Sequence, residues 1–211
     1  VMLRRTKEQV ATELPPRIEE VLRVEMHPEQ LELYNRALLF AREKLHEHGA
    51  AHVLASLTRL RQICCHAELM RKAPSETPSA KLDLLLEHLQ ELHGSGHSAL
   101  VFSQFTSMLD IIARELDKLA MPYYVITGET PVEQRAKRVE DFSSSPEPAV
   151  FLLSLKAAGT GLTLTKADYV FLYDPWWNPA VERQAIDRTH RIGQDKTVIA
   201  YKLIAQDSVE E

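Results

Sequence analysis

Five short apolar runs, separated by stretches of helical periodicity, constrain this chain more than any other feature. They are ALVF (99–102), YYVI (123–126), AVFLLS (149–154), DYVFLYD (168–174) and TVIAYKLIA (197–205). Around them the spacing of apolar residues predicts helices over 81–93, 106–120, 131–142 and 179–191. The first of these carries Leu82, Leu85, Leu86 and Leu89 on one stripe. Runs this short and this apolar are buried on both faces. Their alternation with amphipathic helices predicts right-handed crossovers and a parallel α/β sheet covered on both sides. In such sheets ligands sit at the carboxyl ends of the strands.

The N-terminal part has a different pattern. RRTKEQVATEL runs into Pro15-Pro16, where a helix must stop. LRVEM then alternates apolar and charged residues, the period of a half-buried strand. Residues 28–48 predict a helix opened by Pro28, with Leu31, Tyr34, Leu38, Ala41 and Leu45 on one face. A second helix is expected over 51–67, carrying Val53, Leu54, Leu57, Leu60 and Cys64, and APSETPSA (73–80) reads as a loop or boundary. A length of 211 residues accommodates one large α/β domain with a helical appendage.

Charge and cysteine usage narrow the classes further. The net charge of −5 gives no global nucleic-acid signal and leaves only a local patch for such a partner. No apolar run approaches the roughly 20 residues of a membrane span. The chain opens at Val1 and stops in mid-phrase at SVEE, and so reads as a piece of something longer. Its two cysteines, Cys64 and Cys65, are adjacent; reduced thiols are expected. With His66 they form CCH, but structural zinc wants ligands in spaced pairs and no second pair exists, so no metal site is expected. HEH (46–48) and His52 read as a solvated face.

Three strand ends carry unusual chemistry. ALVFSQF leaves Ser103, Gln104 and Phe105 past one strand, where Ser103 and Thr106 also suit a turn and a helix cap. SLKAAGTGLTLT places Ser154, Lys156, Gly159, Thr160, Gly161 and Thr163 after another; glycines and hydroxyls of this kind let a backbone approach phosphates. DYVFLYDPWWNP ends a third with Asp174, Trp176, Trp177 and Asn178, a cluster that suits either core packing or an interface. GSGHS (94–98) and GTGLT both lack the lysine of a phosphate loop, and YVFLYD resembles a magnesium-binding strand with no such loop beside it.

QAIDRTHRIGQ (184–194) poses the central question. On a continuous helix, Val181, Ala185 and Ile192 form the apolar stripe, and Arg188 falls at its edge with Gln184 and Arg191 alongside. One reading is ordinary surface pairing, Arg183 with Asp187 and Asp187 with Arg191, at roughly 0.2–0.5 kcal/mol each. The other is a phosphate held by two guanidinium forks. The chain then has arginines for a phosphate and no cradle for one. The contradiction disappears if the cradle lies on another domain that closes onto these arginines.

Taken together, these residues resemble the second RecA-like lobe of the Swi/Snf-type ATPases of helicase superfamily two. VFSQF looks like that family's motif IV, SLKAAGTGLTLT its motif V, DPWWNP the tryptophan motif after it, and QAIDRTHRIGQ its motif VI. MLRRTKEQVATELPPRIE looks like the connection from the first lobe, and LTRLRQICCHAEL like the helical protrusion before motif IV. Gly128, Arg135 and Phe142 in TGETPVEQRAKRVEDF also fit. The resemblance implies a linker at 1–27, a helical protrusion at 28–78 and a RecA-like lobe at 79–211, its parallel sheet flanked by helices on both faces.

What the resemblance implies for function is a DNA-dependent ATPase that tracks along duplex DNA without separating its strands and moves or strips bound proteins. Arg188 and Arg191 would be the fingers on the ATP phosphates, supported by Gln184. Gly159 and Gly161 would lie at the lobe interface. Ser103, Gln104, Lys156 and Thr163 would face the DNA backbone, and Trp176 and Trp177 would couple DNA contact to closure. ATP with Mg2+ would be bound mainly by the first lobe of the same protein, absent here, so these residues alone should not hydrolyse ATP. Three departures from the family stand out: the phosphate loop and acidic box of the first lobe are absent, Ala67 replaces a frequent proline, and the sequence ends before a helix expected to brace the lobes. The short spacing between motifs leans towards a bacterial, nucleoid-associated source, against a nuclear one in eukaryotes. Two other functions stay open: a binding module for DNA or protein without turnover, and a self-contained nucleotide-binding enzyme, disfavoured because VFSQFTS is not a glycine-rich turn. Arg59, Arg61, Arg71 and Lys72 motivate a duplex or partner contact by the helical insertion.

Overall fold

The computed structural model describes residues 14–45, 50–71, 75–158, 161–176 and 178–211, without the side chains of 44, 45, 50–52, 71 and 158. Six strands form one sheet: β1 (Arg17–Val24), β2 (Ala99–Ser103), β3 (Tyr123–Ile126), β4 (Val150–Ser154), β5 (Tyr169–Leu172) and β6 (Val198–Ala205). Their order is β1-β6-β5-β2-β4-β3, and every pairing is parallel. The chain leaves β2 past β4 to reach β3, then crosses back over β2 to β5 and β6. Crossovers therefore diverge between β2 and β5, which opens a crevice at their carboxyl ends.

The helices over the sheet are α4 (Ala80–Gly94), α5 (Thr106–Lys118), α6 (Val132–Ser144), a short α7 (Leu155–Ala158) and α8 (Pro179–Ile186). Strand periodicity divides the core between the two faces. Ala99, Val101, Val150, Leu152 and Phe171 pack with Leu85 and Leu89 of α4 and Leu109 and Ile112 of α5. The alternate residues Leu100, Phe102, Phe151, Leu153, Val170 and Leu172 pack with Phe142 of α6 and Ala185 and Ile186 of α8. All five residues of β2 and of β4 are buried, as their unbroken apolar runs require.

The insertion consists of α1 (Pro28–Leu45), α2 (Ala50–Cys65) and α3 (Ala67–Arg71). The helix expected over 28–48 is borne out as far as Leu45, and 46–49, with the HEH run, lie outside the described residues. The helix expected over 51–67 breaks at His66, whose amide still bonds to Gln62 O before α3 starts anew. Of the predicted apolar face, Tyr34 and Ala41 are buried, but Leu31 and Leu54 are exposed.

The boundaries implied by the resemblance need correction at both ends of the insertion. Residues 17–24 are not a linker: β1 pairs with the whole of β6, from Arg17 opposite Val198 to Val24 opposite Ala205. Its alternation holds at the end read from the sequence, where Leu22, Val24 and Met26 turn inward and Arg23 and Glu25 outward. The base of the insertion is also continuous with the lobe. Cys65 and Leu69 belong to the core under α4 and α5, and Tyr34, Ile63 and Cys64 pack with Ala205 of β6. Ser79 Oγ donates to the Cys65 carbonyl and caps α4 by accepting from the Leu82 amide. Both cysteines are buried free thiols, and burial pushes Cys64 up to about 12. No helix among the described residues is long and apolar enough to cross a membrane.

Candidate functional site

Asp174 organises the carboxyl end of the sheet. It lies two residues past β5, is 2% exposed, and accepts from the Ser103 hydroxyl at 2.5 Å and the Gln104 amide at 3.1 Å. Ser103 Oγ in turn accepts from the Phe105 amide at 3.1 Å. This pattern locks the end of β2 to the end of β5 and starts α5. Burial pushes the Asp174 carboxyl above its ordinary range, with the Ser103 hydroxyl, Lys81 and the Gln104 amide opposing. Ser103 is itself fully buried, so its expected contact with a DNA backbone is corrected: its side chain is a strut, and the turn reading of this residue holds.

Above this strut lies a cleft of about 380 Å³ lined by Gln104, Phe105, Leu155, Lys156, Trp176, Val181 and Gln184. It brings together four residues that the sequence singled out, from the ends of β2, β4 and β5 and from α8. Local sequence explains each placement. Asn178 caps α8 by accepting from the Ala180 amide at 2.9 Å, and Pro179 occupies the first turn. Glu182, nearly buried, accepts from the Trp176 amide at 3.0 Å and from Lys202 Nζ at 2.5 Å, fixing the loop that bears the tryptophan. Lys156 is exposed at the cleft rim, and a Cβ placed on Gly128 would lie 3.9 Å from its side chain, so the TGET loop borders the same rim.

Arg188 and Arg191 lie beyond this helix, a second correction. α8 ends at Ile186, and the chain continues in tight turns: the amides of Arg188 and Thr189 bond to the carbonyls of Ala185 and Ile186, three residues back. The cause is tertiary. The Leu164 amide bonds to the Arg188 carbonyl, Gly193 takes φ +99°, and Gln194 Nε2 donates to the carbonyls of Thr165, Ala167 and Thr189. Ile192, expected on the apolar stripe, is therefore 79% exposed. Asp187 pairs with Arg17 of β1 at 3.5 Å. Gln184 opens onto the cleft from the helix, whereas the two arginines project from the turns after it.

The turns leave Arg188 in an unusual state. It is 8% exposed, and its Nε is buried without a hydrogen-bond partner among the described residues. Burial disfavours its charge, the Arg191 charge adds to that, and Asp187 opposes both. Arg191 is exposed and donates from Nη1 to Thr163 Oγ1 at 3.3 Å. A positive charge this poorly compensated favours an incoming anion. Gly161 holds φ +76° beside Thr163 with nothing within 4 Å of an added Cβ, so backbone conformation, not crowding, calls for glycine there. Gly159, Thr160 and Trp177 lie outside the described residues. No group of three or more His, Cys, Asp or Glu among those described could hold a metal ion, and both Asp174 oxygens are engaged.

Two residues of this site escaped the sequence reading. Gln194 is the staple of the arginine turn, and nothing in its spacing signals three carbonyl partners. Arg61 was grouped with surface charges of the insertion, but it is 5% exposed and reaches Gln104 Oε1 at 3.1 Å. Arg59 stays at the surface, and Lys72 and the Arg71 side chain lie outside the described residues.

A six-stranded parallel sheet with arginines beside its strand-end loops has the architecture of a RecA-like lobe. Comparison with known proteins agrees. The model of the helicase conserved C-terminal domain matches residues 80–193, and that of the SNF2-related domain matches 1–69. The chain belongs to the SNF2 family of helicase-like ATPases and contains their C-terminal RecA-like lobe. It is 38% identical over its full length to YwqA of Bacillus subtilis, a candidate ATP-dependent helicase/translocase, and covers 24% of that protein. It is 35% identical, again over its full length, to the human SWI/SNF-related matrix-associated actin-dependent regulator of chromatin subfamily A member 1, covering 22% of it. The chain thus spans a quarter or less of these curated relatives. Among solved structures, the Sulfolobus solfataricus SWI2/SNF2 ATPase core in complex with dsDNA superposes with a TM-score of 0.82 at 31% identity, over 99% of this chain and 45% of that one. The C-terminal domain of the same ATPase gives 0.77 at 28% identity, over 92% and 82%.

Proposed function

We propose that these residues form the second motor lobe of an ATP-dependent double-stranded DNA translocase that remodels nucleoprotein, and that Arg188 and Arg191 act as its arginine fingers. The observation that carries this reading is the buried Arg188 Nε, without a hydrogen-bond partner among the described residues, beside Arg191 in a sequence that lacks a phosphate loop. A stable structural arginine would have its donors satisfied; this one is poised for an acceptor that arrives with another lobe. Similarity to a candidate ATP-dependent helicase/translocase and to a chromatin regulator, and the duplex bound to the Sulfolobus core, support the same reading.

In this reading ATP with Mg2+ sits on the first lobe, and closure brings Arg188 and Arg191 onto its phosphates. Gln184 supports them, and Gly159 and Gly161 lie where the lobes meet. Lys156, Gln104 and Thr163 meet the DNA backbone, a sequence-independent contact that suits a tracking motor. Trp176 and Trp177 relay that contact to closure. The 211 residues alone hydrolyse no ATP.

The test is steady-state ATP hydrolysis by the full-length protein, with and without duplex DNA, beside its Arg191→Ala variant. Loss of a finger is expected to lower kcat by about 10³–10⁵, roughly 4–7 kcal/mol of barrier. Turnover indifferent to the substitution would remove Arg191 from the chemistry. No turnover from the full-length protein would favour a binding module without catalysis.

A further inference from the structure

Arg61 is carried by α2 in the helical insertion, yet its guanidinium lies inside the motor lobe. Nη1 donates to Gln104 Oε1 at 3.1 Å and Nη2 to the Pro175 carbonyl, and Cζ sits 5.9 Å from the centroid of the Trp176 ring. These partners belong to two loops, one after β2 and one after β5, on either side of the point where the crossovers diverge. A planar fork with several donors and a face for stacking can hold both loops at once; a lysine cannot.

The insertion does not need Arg61 in order to dock. The Ala80 amide of α4 donates to Gln30 Oε1 of α1 at 3.2 Å, and both Ser79 Oγ and Tyr173 Oη donate to the Cys65 carbonyl at the end of α2. Those anchors fix α2 immediately after Arg61 and aim it. The helix is therefore held on the lobe by bonds other than those of the fork. The reach of the fork extends also to Gln104 and Trp176, both of which line the 380 Å³ cleft, and a smaller cavity of about 180 Å³ is lined by Arg61, Trp176, Val209 and Glu210. The loops therefore have room to shift when the fork is removed.

We propose that Arg61 is a positioning residue: from the insertion it sets the mutual placement of Gln104 and Trp176, and through them it transmits duplex contact at the cleft to the arginine turn. The inference rests on the motor reading above. It makes the helical insertion part of the coupling path.

The experiment compares full-length protein with its Arg61→Gln, Arg61→Ala and Arg61→Lys variants. ATP turnover is measured with and without a duplex oligonucleotide, together with KM for ATP and thermal midpoint. Misplacing the loops by about an ångström is expected to lower duplex-stimulated kcat by roughly ten- to hundredfold in Arg61→Gln and Arg61→Ala. DNA-independent turnover and KM for ATP should stay within about twofold, because Arg61 acts through Gln104 and Trp176 and not through the arginines that meet the nucleotide. Arg61→Lys should recover part of the stimulation, having the donors of a single ammonium and a cation near Trp176 but no planar fork.

Wild-type stimulation in Arg61→Gln and Arg61→Ala would overturn the inference. So would a parallel fall of basal and stimulated rates with a lowered midpoint, the signature of a merely structural role. If Arg61→Ala does not fold, Arg61→Lys decides: reduced stimulation at an unchanged basal rate supports the inference, and full stimulation overturns it. A wild-type protein that duplex DNA does not stimulate would instead sink the motor reading itself.

Discussion

Lys81 and Glu210 give the most quantitative prediction. Their side chains are 1% and 0% exposed, and Nζ lies 2.9 Å from both carboxylate oxygens. Nζ also stands over the Tyr173 ring, 5.1 Å from its centroid, and Glu210 Oε2 accepts from the Ala205 amide at 2.9 Å. The pair thus ties the segment after β6 to the start of α4 and to the residue before Asp174. Desolvation opposes the Lys81 charge, but Glu210 first, then Cys65 and Asp174, raise its pKa above the ordinary lysine value, so Lys81 keeps its charge. Removing one partner leaves the other charged and buried, at a cost of about 3–5 kcal/mol. For a chain of this length that corresponds to a fall in thermal midpoint of about 6–20 °C. Glu210→Gln keeps an acceptor for the Ala205 amide and isolates the charge. Urea denaturation of Lys81→Met, Glu210→Gln and the double variant closes a thermodynamic cycle. Each single change should destabilise strongly and the double change by clearly less than their sum. A single-variant cost below about 1 kcal/mol, or strict additivity, would refute the reasoning.

Other predictions follow from the same contacts. His66 is buried and its Nδ1 accepts from the Glu68 amide at 3.2 Å, so protonation removes an acceptor. Burial lowers its pKa, and Arg114 acts the same way against Glu68, Glu115 and Asp83. The folded state then binds fewer protons than the unfolded one below about pH 6.5; stability from this group is complete above that value and falls as pH drops through the lowered folded pKa. Urea midpoints between pH 7.5 and 5.5 should slope accordingly, and His66→Gln should flatten the slope. Ser103→Ala strands a buried Asp174 oxygen and should cost about 1–3 kcal/mol without changing the salt dependence of DNA binding by full-length protein. Lys156→Ala should do the reverse, leaving stability intact and reducing the salt slope by about one. Equal slopes for wild type and Lys156→Ala would remove that lysine from the backbone contact.

How much of this was legible in the sequence depends on where a residue's partners lie. The strands of the lobe were readable because apolar runs such as VFLLS are dictated by burial on both faces, a property local to each run. The half-buried alternation of 22–26 was readable for the same reason. What it could not give was the strand's place in the sheet: β1 joins the lobe through β6, whose sequence lies far downstream. The end of α8 was missed because helix periodicity continues through RTHRI. The helix is stopped by a bond from Leu164 and by the Gln194 staple, both nonlocal. The cleft residues Gln104, Lys156 and Trp176 were legible because strand ends are where such sheets place ligands, and Gln184 because helix spacing sets it beside the arginines. Ser103 was misassigned since a strand-end hydroxyl looks the same in sequence whether it faces solvent or a buried carboxylate. Arg61 carries no local sign that it points inward; only the packing of α2 shows it.

The central claim is that Arg188, Arg191 and the cleft beside them belong to a motor that moves along duplex DNA. The most direct measurement is displacement of a third strand from a triplex by the full-length protein. The account predicts ATP-dependent release of the third strand with the underlying duplex left paired, and no release by Arg191→Ala. DNA-stimulated hydrolysis without any displacement, or displacement that survives Arg191→Ala, would contradict it.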